Sequence, residues 1–257
     1  MANGVVTTLG KRSSVHRNGL SDLSAVAFDA YGTLIAFNDA DFVATMARIC
    51  EVQGLVADGA EVWKRFLRSA VAFQRRHRAN GHSDDERIPH WRYGDTWPLH
   101  FDNVFRQLKL DGDPQNASEF LRDTLAGAQA YPDAHQVIES LRRSYPVALL
   151  SNADDNFLLP CLEANNLTFD TVITSEQVRS MKPEPEIFQH LADRINAEPS
   201  SILYVGDSPI ADVLGARQAG LKVAWVNRFG LRKPRLAPHP DLRVRSLSEL
   251  LPLLDVA

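Results

Sequence analysis

The sequence predicts an α/β protein, a doubly wound and mostly parallel sheet interrupted after its first strand by a block of α-helices. Three observations carry this. From Tyr131 onward, helix-like and strand-like segments alternate strictly, the pattern of parallel strands joined by helices on both faces of a sheet. Short apolar runs at 25–28, 147–150 and 202–205 show no polar alternation, as strands buried on both faces do. Between the first of these runs and Tyr131, four segments carry apolar residues at helical spacing and none reads as a strand.

In order, the first strand ends at Asp29, and Gly32 then permits a sharp turn. Helices follow at 41–53, 60–78, 91–108 and 118–128, with a polar loop at 81–89. Tyr131-Pro132-Asp133 opens the alternating part, with helices at 134–144, 156–165, 185–195 and 210–219. Strands are expected at 147–150, 171–174, 202–205 and 223–226, then a Pro-rich basic loop at 231–240, a strand near 242–244 and a helix near 247–254. The expected division is a flexible N-terminal extension at 1–22, an α/β core of 23–37 and 131–257, and a helical unit at 38–130.

A chain of 257 residues, 44% hydrophobic, is long enough for a core domain with an insertion. A net charge of -4 gives no general attraction to nucleic acid or anionic membrane. No apolar stretch reaches the ~20 residues that span a bilayer. The extension lacks the apolar centre of a secretory signal, and the two cysteines, Cys50 and Cys161, fit a reduced, cytoplasmic setting.

The strand ends carry the chemistry. Asp29 is a carboxylate delivered to the rim of a parallel sheet, where it can attack an electrophile and form a covalent intermediate. Ser151 and Asn152 follow the next core strand and can hold an anionic oxygen, as can Thr33 in the turn after Asp29. Lys182, before Pro183 and Pro185, is a point charge for the nucleophile and the transferred group. Gly206-Asp207-Ser208 and Asp212 follow the strand at 202–205, with Ser208 a candidate helix cap. Asp29 and Asp207 at adjacent strand ends concentrate negative charge, which a hard cation such as Mg²⁺ would offset.

This ordered set, Asp29, Ser151, Lys182 and Asp207 with Asp212, resembles the haloacid dehalogenase (HAD) superfamily of hydrolases, which includes many phosphatases. The resemblance covers nearly the whole chain from Ala25. It implies a helical cap over the active site and a Mg²⁺ held by Asp29, the Tyr31 backbone carbonyl and Asp207, with Asp212 a ligand or an outer partner. Phosphatases of this superfamily usually carry a second aspartate two residues after the nucleophile, where Tyr31 stands here. Tyr31 can donate a proton but, with an ordinary pKa near ~10, is a poor base. Asp29-Ala30-Tyr31-Gly32-Thr33 looks instead like the 2-haloacid dehalogenase branch. That branch usually has Ser-Asn where Asp207-Ser208 stands, a tyrosine where Phe188 stands, and a cap arginine after a tryptophan, which Trp63-Lys64-Arg65 matches poorly.

The expected function is therefore a Mg²⁺-dependent phosphatase of a small phosphorylated metabolite, with His82, Asp84, Asp85 and His90 as candidates for the missing acid. The alternatives are a metal-independent 2-haloacid dehalogenase using Asp29, and a non-catalytic binding protein of the same fold. Trp91, Tyr93 and Trp97 read as helix packing ahead of pocket lining, and Arg75-Arg76-His77-Arg78 as a solvated helix end. The histidines at 77, 82, 90 and 100 match no zinc spacing. The helices of the cap offer a surface for a homodimer.

Overall fold

Six parallel strands form one sheet in the order β3-β2-β1-β4-β5-β6 in a computed structural model that describes residues 20, 22–80 and 91–256. They are β1 Ala25–Phe28, β2 Val147–Ser151, β3 Thr171–Thr174, β4 Ile202–Gly206, β5 Lys222–Val226 and β6 Leu242–Val244. β1 is central: Val26 pairs with Val147 on one side and Leu203 on the other. The chain leaves β1 in one direction through β2 and β3, then returns to β4 on the opposite side. This reversal beside β1 opens a crevice at the carboxyl ends of β1 and β4, where open α/β sheets bind ligands.

Both faces of the sheet are covered, which explains the unbroken apolar runs. Val26, Phe28, Leu149 and Val205 point into one core, while Ala27, Ala148, Leu150 and Tyr204 point into the other with Ile187, Phe188 and Leu191. The fold class is as predicted from sequence. The helices between β1 and β2 are α1 Asp39–Val52, α2 Gly59–Asn80, α3 Tyr93–Leu108, α4 Pro114–Ala126 and α5 Ala134–Arg142. α4 begins earlier than its apolar spacing indicates, because Asp113 accepts from the Gln115 and Asn116 amides and Pro114 suits the first turn. α6 Asp155–Ala164, α7 Ser175–Val178 and α8 Pro185–Ile195 alternate with the later strands.

The expected helix at 210–219 is corrected. Residues Pro209–Leu214 form a π-helical turn, and only α9, Gly215–Gln218, is α-helical. The Val213 amide reaches back five residues to the Ser208 carbonyl at 3.1 Å, while the Asp212 carboxylate accepts from the Ser208 amide at 2.8 Å. Ser208 is the cap foreseen, its hydroxyl accepting from the Ala211 amide. At the carboxyl end, a 3₁₀ turn Leu247–Glu249 leads into α10 Leu250–Leu253.

Helices α1–α4 lie over the strand ends and share one continuous apolar core with the sheet. Polar contacts pin them there. The buried Asp154 accepts from the Tyr93 and Gly94 amides at 3.0 and 2.8 Å, capping α3 from the loop after β2. Arg92 pairs with Glu176 at 2.8 Å, and the Tyr31 hydroxyl donates to the Leu125 carbonyl at 3.1 Å. No helix among the described residues is long and apolar enough to cross a membrane. Cys50 and Cys161 are free and buried. The extension at 1–22, apart from Leu20 and Asp22, and the 81–89 loop with His82, Asp84, Asp85 and His90 lie outside the described residues.

Candidate active site

The crevice brings Asp29, Ser151, Lys182, Asp207 and Asp212 together, although 153 residues separate Asp29 from Lys182. β1 delivers Asp29, β2 delivers Ser151, and β4 with the π turn delivers Asp207 and Asp212. The buried Lys182 ammonium lies 2.5 Å from Asp29 Oδ1, 2.7 Å from Asp212 Oδ1 and 3.0 Å from the Tyr204 hydroxyl. Ser151 Oγ is 3.4 Å from Asp29 Oδ1, and Thr33 Oγ1 is 3.3 Å from Asp29 Oδ2 and 3.4 Å from Asp207 Oδ1.

Three carboxylates thus face one ammonium. Burial opposes the charge on Lys182, yet Asp212 and Asp29 outweigh it and hold its pKa well above the ordinary value. Burial pushes Asp29 up to about 6, against the pull of Lys182 and with the help of Asp212. Asp207 is pushed well above the carboxylate range, by burial first and then by Asp212 and Asp29. Lys182 reaches the other two, so among the described residues Asp207 has no ion pair. One oxygen from each of Asp29, Asp207 and Asp212 lies within 4.8 Å of the others. Their approach depends on missing side chains. Gly32 has φ +88°, and a Cβ there would stand 2.5 Å from Asp207 Oδ2; at Gly206 it would stand 2.4 Å from Asp212 Cγ.

Two of the expected residues have their polar groups engaged within the protein. Asn152, expected to bind substrate, donates its amide to the Lys182 carbonyl at 3.0 Å and accepts from the Lys182 amide at 2.7 Å. Both ends of its amide are engaged in placing the lysine. Tyr31, expected as proton donor, has its hydroxyl on Leu125, and burial raises its pKa. That hydroxyl fastens α4 to the nucleophile turn. Arg65, the poorly matching cap arginine, pairs with Glu61 at 2.7 Å and reaches Gln107 at 3.1 Å.

Tyr204 and Arg228 escaped sequence reasoning. Tyr204 accepts from Lys182 and donates to the Leu150 carbonyl at 2.8 Å, and Phe188 packs edge-on against its ring at 5.1 Å. The hydroxyl absent from position 188 thus comes from the adjacent strand. The available signal was one phenol in an aliphatic strand, since a buried hydroxyl requires a partner. Arg228 donates to the Thr33 carbonyl at 3.0 Å and pairs with Asp133 at 3.1 Å, bracing the nucleophile turn.

Beside the carboxylates, under α2, α3 and α4, lies a cavity of ≈ 270 Å³. Tyr31 and Asn152 border it, and its walls include Trp63, Phe66, Trp97 and Phe157. Trp91 and Tyr93 also line it, so the aromatic residues read as packing shape this space too. No lysine, arginine or carboxylate is among the described lining residues. Its polar members include His100, whose pKa burial lowers to about 4. An unfolded histidine titrates near ~6.5, so the unfolded chain binds the extra proton first as pH falls. This contribution makes stability decline from pH 6.5 toward 4, and His100→Leu is expected to flatten that slope in urea midpoints measured across the interval.

The family model for haloacid dehalogenase-like hydrolases matches residues 23–220. The chain belongs to the haloacid dehalogenase-like hydrolases. Relatives within this family differ in chemistry. (S)-2-haloacid dehalogenase 4A of Burkholderia cepacia is 30% identical over 242 residues, covering 91% of this chain and 96% of its own. Phosphatase MT3486 of Mycobacterium tuberculosis is 30% identical over 245 residues, covering 91% and 98%. The crystal structure of a dehalogenase with an intermediate complex superposes with TM-score 0.72 at 26% identity, covering 91% and 97%. These haloacid dehalogenase-like relatives support hydrolysis of a small molecule and leave phosphate and halide chemistry equally open.

Proposed function

We propose that this hydrolase is a Mg²⁺-dependent phosphatase of a small phosphorylated metabolite, acting through a covalent aspartyl intermediate on Asp29. The observation that carries the reading is Asp207, a half-buried carboxylate beside two buried ones and, among the described residues, without an ion pair of its own. Such a donor set of hard oxygens suits Mg²⁺. Asp29 and Asp207, with the Tyr31 carbonyl, would hold the ion, which when bound supplies positive charge to the carboxylates and the phosphoryl oxygens. Asp212 is an outer partner, because its two oxygens already hold Lys182 and the Ser208 amide.

Asp29 attacks phosphorus while Lys182 steadies the negative charge, and Tyr204, Asp212 and Asn152 fix the lysine in place. The Ser151 hydroxyl, at a long 3.4 Å from Asp29, can turn to an incoming oxygen. Water then opens the aspartyl phosphate. In this reading residues 38–130 act as the cap that excludes bulk water, on a core of 23–37 and 131–257. The two unpaired cysteines are consistent with a cytoplasmic enzyme.

Phosphate release from a substrate panel, with Mg²⁺ and with chelator, tests the reading directly. Mg²⁺ is also expected to raise the melting temperature of the wild type, and Asp207→Asn to abolish that rise along with the metal-dependent turnover. Release that survives chelation would overturn the assignment. The second reading, a 2-haloacid dehalogenase, is favoured by Tyr31, since a departing halide needs no acid. It predicts chelator-insensitive halide release from 2-haloacids.

A further inference from the structure

The cavity has two ends of different character. At the nucleophile end, the Tyr31 hydroxyl is donated to Leu125 and offers no proton to a leaving oxygen. His100 lies seven residues along α3 from Tyr93, whose amide is pinned by Asp154, and seven residues of helix advance ~10 Å. His100 is 5% exposed, with Nδ1 3.2 Å from Ser69 Oγ, while the Asn103 amide donates to the same oxygen at 3.0 Å. Ser69 accepts from Asn103 and is able to give its own hydrogen to Nδ1; in that tautomer the imidazole proton sits on Nε2. Nε2 meets no hydrogen-bond partner among the described residues and is free to donate, in a cavity whose walls are mostly aromatic and whose other polar members include Gln74, Thr96 and Asn152.

We propose that this cavity receives the aromatic leaving group of an aryl phosphate, and that the His100 Nε2–H binds an acceptor on the far side of the ring. The inference rests on the phosphatase reading and deepens it. An apolar cavity of ~150 Å³ holds benzene, so ≈ 270 Å³ takes a ring and a substituent. The chemistry agrees with the residue at position 31. A phenolate, with a conjugate-acid pKa near ~10, departs without general acid help, which a far more basic alkoxide requires. Asp29 forms a bond to phosphorus as the P–O(aryl) bond breaks and its electron pair leaves on the phenolate. Water then attacks phosphorus, restoring the Asp29 carboxylate and releasing phosphate and a proton, which the phenolate takes up.

The test compares phenyl phosphate, 4-carbamoylphenyl phosphate, cyclohexyl phosphate and acetyl phosphate under Mg²⁺. Acetyl phosphate needs no acid and is too small to fill the cavity, so it reports the phosphatase reading by itself. Aryl esters are expected to exceed cyclohexyl phosphate in kcat/KM by ~10²–10⁴-fold, the usual contribution of a general acid. The carbamoyl group is expected to lower KM about tenfold, and His100→Phe to erase that preference. Ser69→Ala, which frees the tautomer, is expected to weaken it and guards against a folding defect in the first variant. Binding of 4-hydroxybenzamide, read by tryptophan quenching against Trp63, Trp91 and Trp97, tests the cavity without turnover. Turnover of acetyl phosphate with no aryl preference, or no quenching by 4-hydroxybenzamide, overturns the inference and leaves the phosphatase standing. Quenching without release from any of the four compounds, acetyl phosphate included, overturns the phosphatase reading and with it the aryl phosphate.

Discussion

Asp29→Asn is expected to lower turnover at least ~10⁴-fold while leaving the melting temperature unchanged or raising it. The first half follows from chemistry: an amide cannot take up the transferred group as a carboxylate does, and the loss applies equally to phosphate or halide release. The second half follows from charge. Asp29 is one of three clustered carboxylates facing a single ammonium, and burial has already pushed its pKa to about 6. Removing its charge relieves Asp207 and Asp212, and Lys182 keeps its 2.7 Å partner in Asp212. Catalytic placement and fold stability oppose each other here, as strained active sites commonly do. Loss of folding in Asp29→Asn, seen by thermal melting, would show that the Asp29–Lys182 pair holds the core together.

Lys182→Met is expected to be inactive and to lose about 3–5 kcal/mol of stability, the usual cost of stranding a buried charge. The methionine leaves Asp29 and Asp212 without their shared cation, and Tyr204 without its charged donor. Adding Asp212→Asn should restore part of the stability and none of the activity. A double-mutant cycle by urea denaturation measures that coupling. Additive losses would show that the two side chains do not share charge in the folded protein.

Much of this arrangement was legible in sequence because parallel strands deliver residues to one rim. Asp29, Ser151 and Asp207 each follow an apolar run, and strands in register place such positions together. Lys182 was legible only through its place in the ordered motif set, since a lysine before prolines by itself reads as a solvated surface residue. What escaped depends on neighbours distant in the chain. Tyr204 reads as a core aromatic until Lys182 is placed beside it, and Asn152 reads as a substrate ligand until the Lys182 backbone takes its amide. The π turn after Ser208 carries no apolar signature of its own, since Asp212 bonding back to the Ser208 amide shapes it. The donor on His100 depends on Ser69 and Asn103, two residues on different helices.

The central position of β1 has a consequence for how the protein is made. A ribosome releases Asp29 first and its lysine partner 153 residues later, an interval of roughly 8–30 s at ~5–20 residues per second. For most of that time the AVAF strand has no neighbour on either edge: β2 emerges only at Val147–Ser151, and β4 follows after Lys182. Helices α1–α4 pack largely on one another and can form while the nascent chain waits. The nucleophile therefore gains a strand beside it when β2 emerges, yet stays a carboxylate without its lysine until the last third of the polypeptide arrives.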